Sequence, residues 1–281
     1  MRSRFAILGT CLALVGCCSI GVAVCGKKMK PEEVVEKHLA SLSPMQKTVD
    51  SLKAEGLSSL TDARGGNEVR GRVTLTSQGP KVRLSMFFGL NGYPGEELAY
   101  DGKEVSVGWI APGTRSDLEN FFKQFKEVLA EGLLGGSLST GWPLTRLQER
   151  KAEVKYDGLK KVDDKEYHVL RYRGRKGGSA QTSLYFDPET FRHRHSIHKV
   201  RIGVPMVHNP NVSAALDETW YILKESFDDF QEAGGGAIPT TWTIEFTTQT
   251  GRAGTVMRWT NRFSTIEKPA AVDPNLFVVV E

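Results

Sequence analysis

Hydrophobic and polar residues alternate with a period of two along most of the chain. Val73 and Leu75 alternate with threonines, and Leu84 and Met86 continue the pattern on the next run. Because successive side chains of a strand point to opposite faces, this alternation is typical of strands with one buried face. Turns rich in glycine, proline and aspartate separate the runs. The pattern predicts about eleven strands, near residues 69–76, 81–88, 97–100, 105–109, 153–157, 166–173, 180–186, 192–202, 220–227, 239–248 and 255–263.

Three stretches instead have apolar residues at helical spacing. The first begins at Pro31, where a proline and two acidic residues suit a first helical turn. A second short helix, suggested by Met45, Val49 and Leu52, is predicted to end near Gly56. In the third, Ser116 and Glu119 form a capping box. Its apolar stripe consists of Leu118, Phe121, Phe122, Phe125, Val128 and Leu129. A stripe of this kind needs an apolar surface to cover.

The order of these elements indicates the fold class. The strands follow one another mostly through short hairpins, with neither a βαβ rhythm nor an internal repeat. This arrangement predicts a mainly β fold with a few helices. About 250 residues remain after the first 26, a length that one barrel or sandwich domain can hold. We therefore divide the chain into a signal peptide, 1–26, and one β domain, 27–281, that is either a barrel or a sandwich.

The first 26 residues have the pattern of an export signal. Arg2 and Arg4 precede an uncharged apolar stretch that contains all four cysteines of the chain. A basic start followed by an apolar stretch is typical of secretory signals. The order Leu14-Val15-Gly16-Cys17 matches a lipoprotein signal. Cleavage before Cys17 would leave its thiol to carry a lipid anchor in the membrane of a bacterial cell envelope, with the domain facing the periplasm.

Two other fates of this segment stay open. An ordinary signal peptidase could cut among the small residues from Ala23 to Gly26 and release a soluble exported protein. An uncleaved segment would be just long enough to span a bilayer. The basic residues Lys27, Lys28 and Lys30 on its far side argue mildly against that topology, since basic residues prefer the cytoplasmic side.

Composition narrows the function classes. Without its leader the domain has no cysteine, so disulfides and thiolate catalysis are excluded. Removal of Arg2 and Arg4 leaves 35 basic residues against 33 acidic ones. A balance this close to neutral favours neither nucleic acid nor an acidic membrane as the main partner. No pattern in the chain indicates a cofactor.

Several motifs resemble those of the LolA/LolB-like family of periplasmic lipoprotein carriers and lipid-binding lipoproteins. They are the runs Leu184–Thr190 (LYFDPET), Phe227–Phe230 (FDDF) before Gly236, Ile238–Ile244 (IPTTWTI) and Asp273–Phe277 (DPNLF). The order of N-terminal helix, strands, amphipathic helix and long meander is also similar. The resemblance covers most of the chain from Pro31 to Glu281.

This resemblance implies an incomplete antiparallel β-barrel of about eleven strands wrapped around helices, with a hydrophobic cavity that holds acyl chains. Family members include soluble carriers, lipid-anchored receptors, glycolipid-binding lipoproteins and periplasmic stress sensors. The lipoprotein signal at Cys17 favours an anchored member, which would meet the membrane surface through its N-terminal lipid.

The inward-facing side chains of such a barrel either fill a core or line a cavity. The resemblance favours the cavity. Its predicted lining is Leu75, Leu84, Met86, Phe88, Tyr100, Trp109, Trp242, Ile244 and Trp259. The helix that follows Ser116 is the predicted lid, through Phe121, Phe122 and Phe125.

Three histidines raise the hypothesis of a metal site. His193 and His195 would share one face of a regular strand, and His198 would lie on the other face unless a bulge intervenes. No carboxylate or thiolate at suitable spacing completes a ligand set. A solvated strand face is therefore the simpler interpretation, and no metal is predicted.

Paired carboxylates occur at Glu225, Asp228 and Asp229, but no partner base or nucleophile can be named for general acid–base chemistry. The sequence therefore predicts a protein that is not an enzyme. Two function classes remain. The first is an envelope protein that shelters lipid or lipoprotein acyl chains, in lipoprotein sorting or lipid transport. The alternative is an envelope sensor that uses the same barrel as a protein-binding scaffold.

Overall fold

The computed structural model describes residues 29–62, 66, 68–203, 218–251 and 253–280. The predicted leader with Cys17 lies outside the described residues, so its lipidation stays a prediction. The strands are β1 Ser51–Asp62, β2 Val69–Gln78, β3 Lys81–Leu90, β4 Tyr93–Tyr100, β5 Val105–Val107, β6 Glu153–Val162, β7 Lys165–Arg173, β8 Gln181–Phe186, β9 His193–Ile202, β10 Thr219–Ala233, β11 Gly236–Thr250 and β12 Ala253–Glu267. The helices are α1 Pro31–Ser41, α2 Pro44–Thr48, α3 Asp117–Gln124, α4 Glu127–Ala130 and α5 Leu147–Arg150.

These twelve strands form one antiparallel sheet in the order β5-β4-β3-β2-β1-β12-β11-β10-β9-β8-β7-β6. The first five strands step outward from the middle of the sheet to one edge. The other seven step back from the opposite edge until β12 pairs with β1. Within the described residues, β5 and β6 are the two open edges. The predicted mainly β, antiparallel and open architecture is confirmed, with twelve strands in place of eleven.

The sheet curves strongly around one face, which we call the inner face. Strands β12 and β4 are four positions apart, a separation of about 19 Å in a flat sheet. Nevertheless, Trp259 Nε1 on β12 donates a hydrogen bond to the Tyr93 hydroxyl on β4 at 3.1 Å. Only a curved sheet brings these two side chains together.

The connection from β5 to β6 travels from one edge of the sheet to the other. It comprises residues 108–152 with α3, α4 and α5, and we call it the cover. Its apolar side chains belong to the same buried cluster as those of the inner face. The topology therefore places an aromatic-rich segment across the inner face, where a lid was expected.

The predicted amphipathic helix is confirmed at its start and interrupted near its middle. Ser116 caps α3 through reciprocal hydrogen bonds with Glu119. The helix ends at Gln124, and Phe125 has a non-helical backbone with φ −114° and ψ 56°. α4 begins at Glu127. Two short helices therefore carry the apolar stripe that the sequence pattern assigned to one.

Strand β1 was not predicted. The spacing from Met45 to Leu52 indicated a helix, but α2 ends at Thr48 and β1 begins at Ser51. The buried inward positions of β1 are Leu52, Ala54, Ser58 and Leu60. Small and polar residues at inward positions weaken the alternation of apolar and polar residues that would have predicted a strand. Pairing with both β2 and β12 instead determines the extended conformation. The predicted helix is therefore wrong after Thr48.

In the part of the chain that the structure describes, the buried apolar cluster lies between Val34 and Phe263 and the strands lie between Ser51 and Glu267. A chain that begins at Lys27 keeps the complete sheet and its core, and we expect it to fold by itself. Across the described ranges, the helices are too short or too polar to cross a bilayer.

Gly56 allows β1 to approach β12 closely. The register of this pair shifts between Glu55 and Gly56. A Cβ at Gly56 would lie 1.9 Å from the carbonyl oxygen of Arg262. Since no side chain fits at that separation, the β-bulge requires glycine.

Replacement of Gly56 by alanine should therefore lower the free energy of unfolding by about 1–3 kcal/mol, the usual cost of overpacking. Urea unfolding of the chain from Lys27, followed by circular dichroism, measures this change. Gly203→Ala is the matched control, because a Cβ there meets no atom of the described residues within 4 Å. Unchanged stability of Gly56→Ala would contradict the close approach of the two strands.

Candidate functional site

Eight of the nine predicted cavity residues lie together on the inner face. They are Leu75, Leu84, Met86, Phe88, Tyr100, Trp242, Ile244 and Trp259, and each is less than a tenth exposed. They share one apolar cluster with residues of the cover. A ligand would therefore reach the inner face only beneath the cover, and the cavity itself stays a prediction.

Trp109 is the ninth residue and lies elsewhere. β5 ends at Val107, so Trp109 falls in the loop that starts the cover and is half-buried. The guanidinium carbon of Arg115 lies 3.8 Å from the centre of its ring, a cation–π contact. The prediction that one strand runs to Trp109 is wrong at its end, because the chain leaves the sheet after Val107.

The predicted lid phenylalanines pack against β10 and β11. The ring of Phe121 lies 5.3 Å from Phe246 and 6.3 Å from Tyr221. Phe125 also lies 6.3 Å from Tyr221, and Phe122 has no exposed surface. Centroid separations in this range are typical of favourable aromatic pairs. Aromatic contacts therefore hold α3 against the inner face.

A buried carboxylate fixes the middle of the cover to the inner face. Glu225 Oε1 accepts hydrogen bonds from the Gly135 N–H at 2.7 Å and from Trp242 Nε1 at 3.0 Å. Its Oε2 lies 3.3 Å from His198 Nε2. The Thr182 hydroxyl, 3.0 Å from His198 Nδ1, can donate to that nitrogen and leave Nε2–H to face the carboxylate. These partners satisfy a group that would otherwise be costly to bury.

A second polar anchor holds the start of α3. Glu96 on β4 accepts hydrogen bonds from the hydroxyl groups of Ser116 and Tyr93. Burial raises the pKa of the Glu96 carboxyl to about 8. The two hydrogen bonds lower this pKa, but their effect is smaller than that of burial. The carboxyl therefore keeps its proton to a higher pH than an exposed glutamate does.

A third anchor joins the cover to α1. Trp142 Nε1 donates a hydrogen bond to His38 Nε2 at 3.0 Å, and His38 Nδ1 lies 3.1 Å from the carbonyl oxygen of Phe191. Since an indole nitrogen can only donate, Nδ1 carries the imidazole proton. Burial lowers the pKa of His38 to about 4. The neutral form that this geometry needs is therefore the form present at neutral pH.

Beside this anchor, a groove of about 940 Å³ opens between α1, the end of the cover and the edge strand β6. Its apolar lining is Val35, Leu39, Leu144, Leu147, Ala152 and Val154. Val35 and Leu144 belong to the buried cluster, and the other four pack against it. The floor of the groove is therefore continuous with the apolar interior.

Charged residues surround this floor. They are Glu32, Glu36, Arg146, Glu149, Lys151, Glu153 and Lys155. The volume lies in the upper part of the range for small-molecule sites, roughly 300–1,000 Å³. An apolar floor with a charged rim suits an amphipathic ligand whose tail leaves water while its polar end stays in it.

The three histidines of β9 do not form a metal site. The register of β8 and β9 shifts between Tyr185 and Phe186. This bulge turns His193 and His198 to the inner face and His195 to the opposite, outer face. His193 and His195 therefore do not share a face, as the regular alternation predicted. Among the described residues, no group of three or more His, Cys, Asp or Glu side chains is arranged to hold a metal ion.

The three acids near the end of β10 also separate. Glu225 points inward and anchors the cover. Asp228 pairs with Arg194 at 2.7 Å, and Asp229 accepts a hydrogen bond from the Thr241 hydroxyl at 2.7 Å. These acids therefore have separate structural partners and do not form a carboxylate pair.

Sequence reasoning missed the anchoring roles of Glu96, Glu225 and His38. A signal was present for the two acids, because each occupies an inward position in the alternation of its strand. Glu225 lies between the buried residues Leu223 and Phe227. An isolated polar residue at such a position indicates a buried hydrogen-bond partner.

No protein-family model matches the chain, and no curated protein matches it. Solved structures are similar to it over most of its length. A LolA superfamily protein from Nitrosomonas europaea is 15% identical over 89% of this chain and 98% of its own, with a TM-score of 0.46. A DUF1329 family protein from Desulfovibrio piger is 10% identical over 89% and 98%, with a TM-score of 0.44. A domain from Vibrio parahaemolyticus, named for outer membrane lipoprotein sorting, is 10% identical over 87% and 94%, with a TM-score of 0.43.

Proposed function

We propose that the protein is a binding protein of the bacterial cell envelope that shelters lipid, or the acyl chains of a lipoprotein, during lipoprotein sorting or lipid transport. The observation that carries this proposal is the groove, whose apolar floor is continuous with the buried cluster. The sequence motifs that resemble the LolA/LolB-like family support the same class of ligand.

The groove is the entry site in this proposal. Each methylene of an acyl chain that leaves water for its floor contributes about 0.8 kcal/mol. Lys151 and Lys155 on the rim provide positive charge for a carboxylate or phosphate head group. The groove therefore offers one surface to the tail and another to the head.

The inner face is the deeper part of the proposed site. Aromatic contacts of Phe121 and Phe125 hold α3 there, and an acyl chain could replace those contacts with similar apolar burial. Displacement of the cover would then expose Met86, Phe88 and Trp242 to the ligand. Such an exchange changes little apolar exposure, so the main cost of moving the cover is the loss of its hydrogen bonds to Glu96 and Glu225.

Binding of fatty acids should strengthen with chain length. Each added methylene should tighten binding by up to about fourfold, as follows from about 0.8 kcal/mol per methylene. A titration of fluorescent fatty acids of increasing length into the chain from Lys27 measures this series. Val154→Glu should weaken binding at least tenfold, because it places a charge on the apolar floor.

Leu159→Glu is the matched control for Val154→Glu. Both residues lie on β6, but Leu159 is 50% exposed and outside the groove lining. Circular dichroism must show that both variants are folded. An affinity that does not change with the length of the fatty acid would contradict the proposed groove site and favour a protein-binding scaffold. The same holds if Val154→Glu and Leu159→Glu weaken fatty-acid binding equally.

Amide exchange tests the lid role of the cover. If residues 116–131 move aside to admit lipid and close over it, their exchange should slow when a fatty acid is bound, since lipid stabilises the closed state. Hydrogen exchange with mass spectrometry, with and without ligand, measures this change. Peptides from β1 serve as the internal control. Equal protection of residues 116–131 in both states would make the cover a static part of the core.

Lipidation of Cys17 is tested separately. The variant Cys17→Ala should move the protein from the membrane fraction to the soluble fraction of the envelope, because it removes the acceptor of the anchor. Fractionation and mass spectrometry of the mature N-terminus measure this outcome. An unmodified N-terminus between Val24 and Lys27 would contradict lipidation.

A further inference from the structure

One row of residues crosses the outer face of the sheet in the half that contains β1. Arg72 on β2 is paired with Phe87 on β3 and with Leu57 on β1. Leu57 is in turn paired with Arg262 on β12. Since directly paired residues point to the same face, these four side chains form a continuous row about 14 Å long.

The apolar members of this row are unusually open. Leu57 is 68% exposed and Phe87 is 50% exposed. Single exposed apolar residues are common, but two of them in one row of the same face mark a contact surface.

The charged members of this surface are mostly basic. Arg70 precedes Arg72 on the same face of β2 and has a side chain that is 82% exposed. Arg72 and Arg262 form no ion pair with any other described residue. A depression of about 250 Å³ beside Leu57 is lined by Arg70 and Arg262, and Glu68 is the single acid in its described lining. Glu68 lies 3.5 Å from Arg70.

We propose that this face docks on the surface of an anionic phospholipid membrane. We call it the docking face and define it by Leu57, Arg70, Arg72, Phe87 and Arg262. Its arginines complement the negative charge of the lipid head groups. Leucine and phenylalanine side chains beside them suit insertion at the boundary between head groups and acyl chains.

The net charge of the chain is close to neutral and does not indicate this local group of arginines. Attraction to a charged membrane acts only within about a Debye length, roughly 8–10 Å. The local excess of arginine on one face therefore matters more than acids that lie on other parts of the sheet. This docking face is independent of the lipid anchor expected at Cys17 and of the proposed groove.

Vesicle flotation tests the proposal with the chain from Lys27, because the apolar leader would itself bind lipid. The protein should float with phosphatidylcholine vesicles that contain phosphatidylglycerol and not with pure phosphatidylcholine vesicles. Arg72→Gln and Arg262→Gln should each lower the partition coefficient about fivefold. The double variant Leu57→Ser/Phe87→Ser should lower it about tenfold or more. High salt should weaken binding by the wild-type protein.

Two controls on the other half of the sheet carry single substitutions of the same types. Arg173→Gln removes an exposed arginine from β7, and Leu159→Ser removes a 50% exposed leucine from β6. Both should bind vesicles as the wild type does. Equal binding to both vesicle types, absence of binding, or equal losses in the controls and the docking-face variants would each overturn the proposal.

The experiments distinguish failure of the membrane-docking proposal from failure of the proposal that the groove binds acyl chains. Val154→Glu should keep its vesicle binding, and Leu57→Ser/Phe87→Ser should keep its affinity for soluble fatty acid. Vesicle binding that falls with Val154→Glu but not with the docking-face variants would assign the membrane contact to the groove and overturn the docking face.

Discussion

The pairing of β1 with β12 is the constraint on which the rest of this structure depends. It joins the N-terminal and C-terminal strands into one sheet and leaves β5 and β6 at opposite edges. Residues 108–152 must then cross the whole sheet to connect those edges. Their phenylalanines and leucines are buried against the inner face because the topology leads them there. The bulge at Gly56 permits the close approach that this pairing needs.

Aromatic packing alone would let the cover slide, because apolar contacts have little directionality. Three buried polar groups fix its position. Glu96 holds the start of α3, Glu225 holds Gly135, and His38 holds Trp142. Each uses hydrogen bonds whose loss would leave a buried group unsatisfied. The cover therefore has one defined position on an apolar surface that by itself would allow several positions. Loss of these few hydrogen bonds would release the cover.

The two faces of the sheet suit different tasks. The inner face is apolar and closed, and it meets solvent indirectly through the groove beside α1. The outer face around Leu57 and Arg72 is open and mixes apolar with basic side chains. In a curved sheet these faces are separated by the backbone layer alone. A ligand site and a membrane contact can therefore lie close together without sharing side chains.

The sequence by itself determined the period-two strands, the mainly β class, the cap at Ser116 and eight of the residues that share the inner face. These follow from local physics, since alternation and capping act within a few residues. Only the tertiary structure decided that Ser51–Asp62 is a strand, that Trp109 leaves the sheet, and that a bulge separates His193 from His195. It also decided the position of the groove, which joins α1 to the end of the cover. Those features depend on strand pairing between distant parts of the chain, which no local pattern contains.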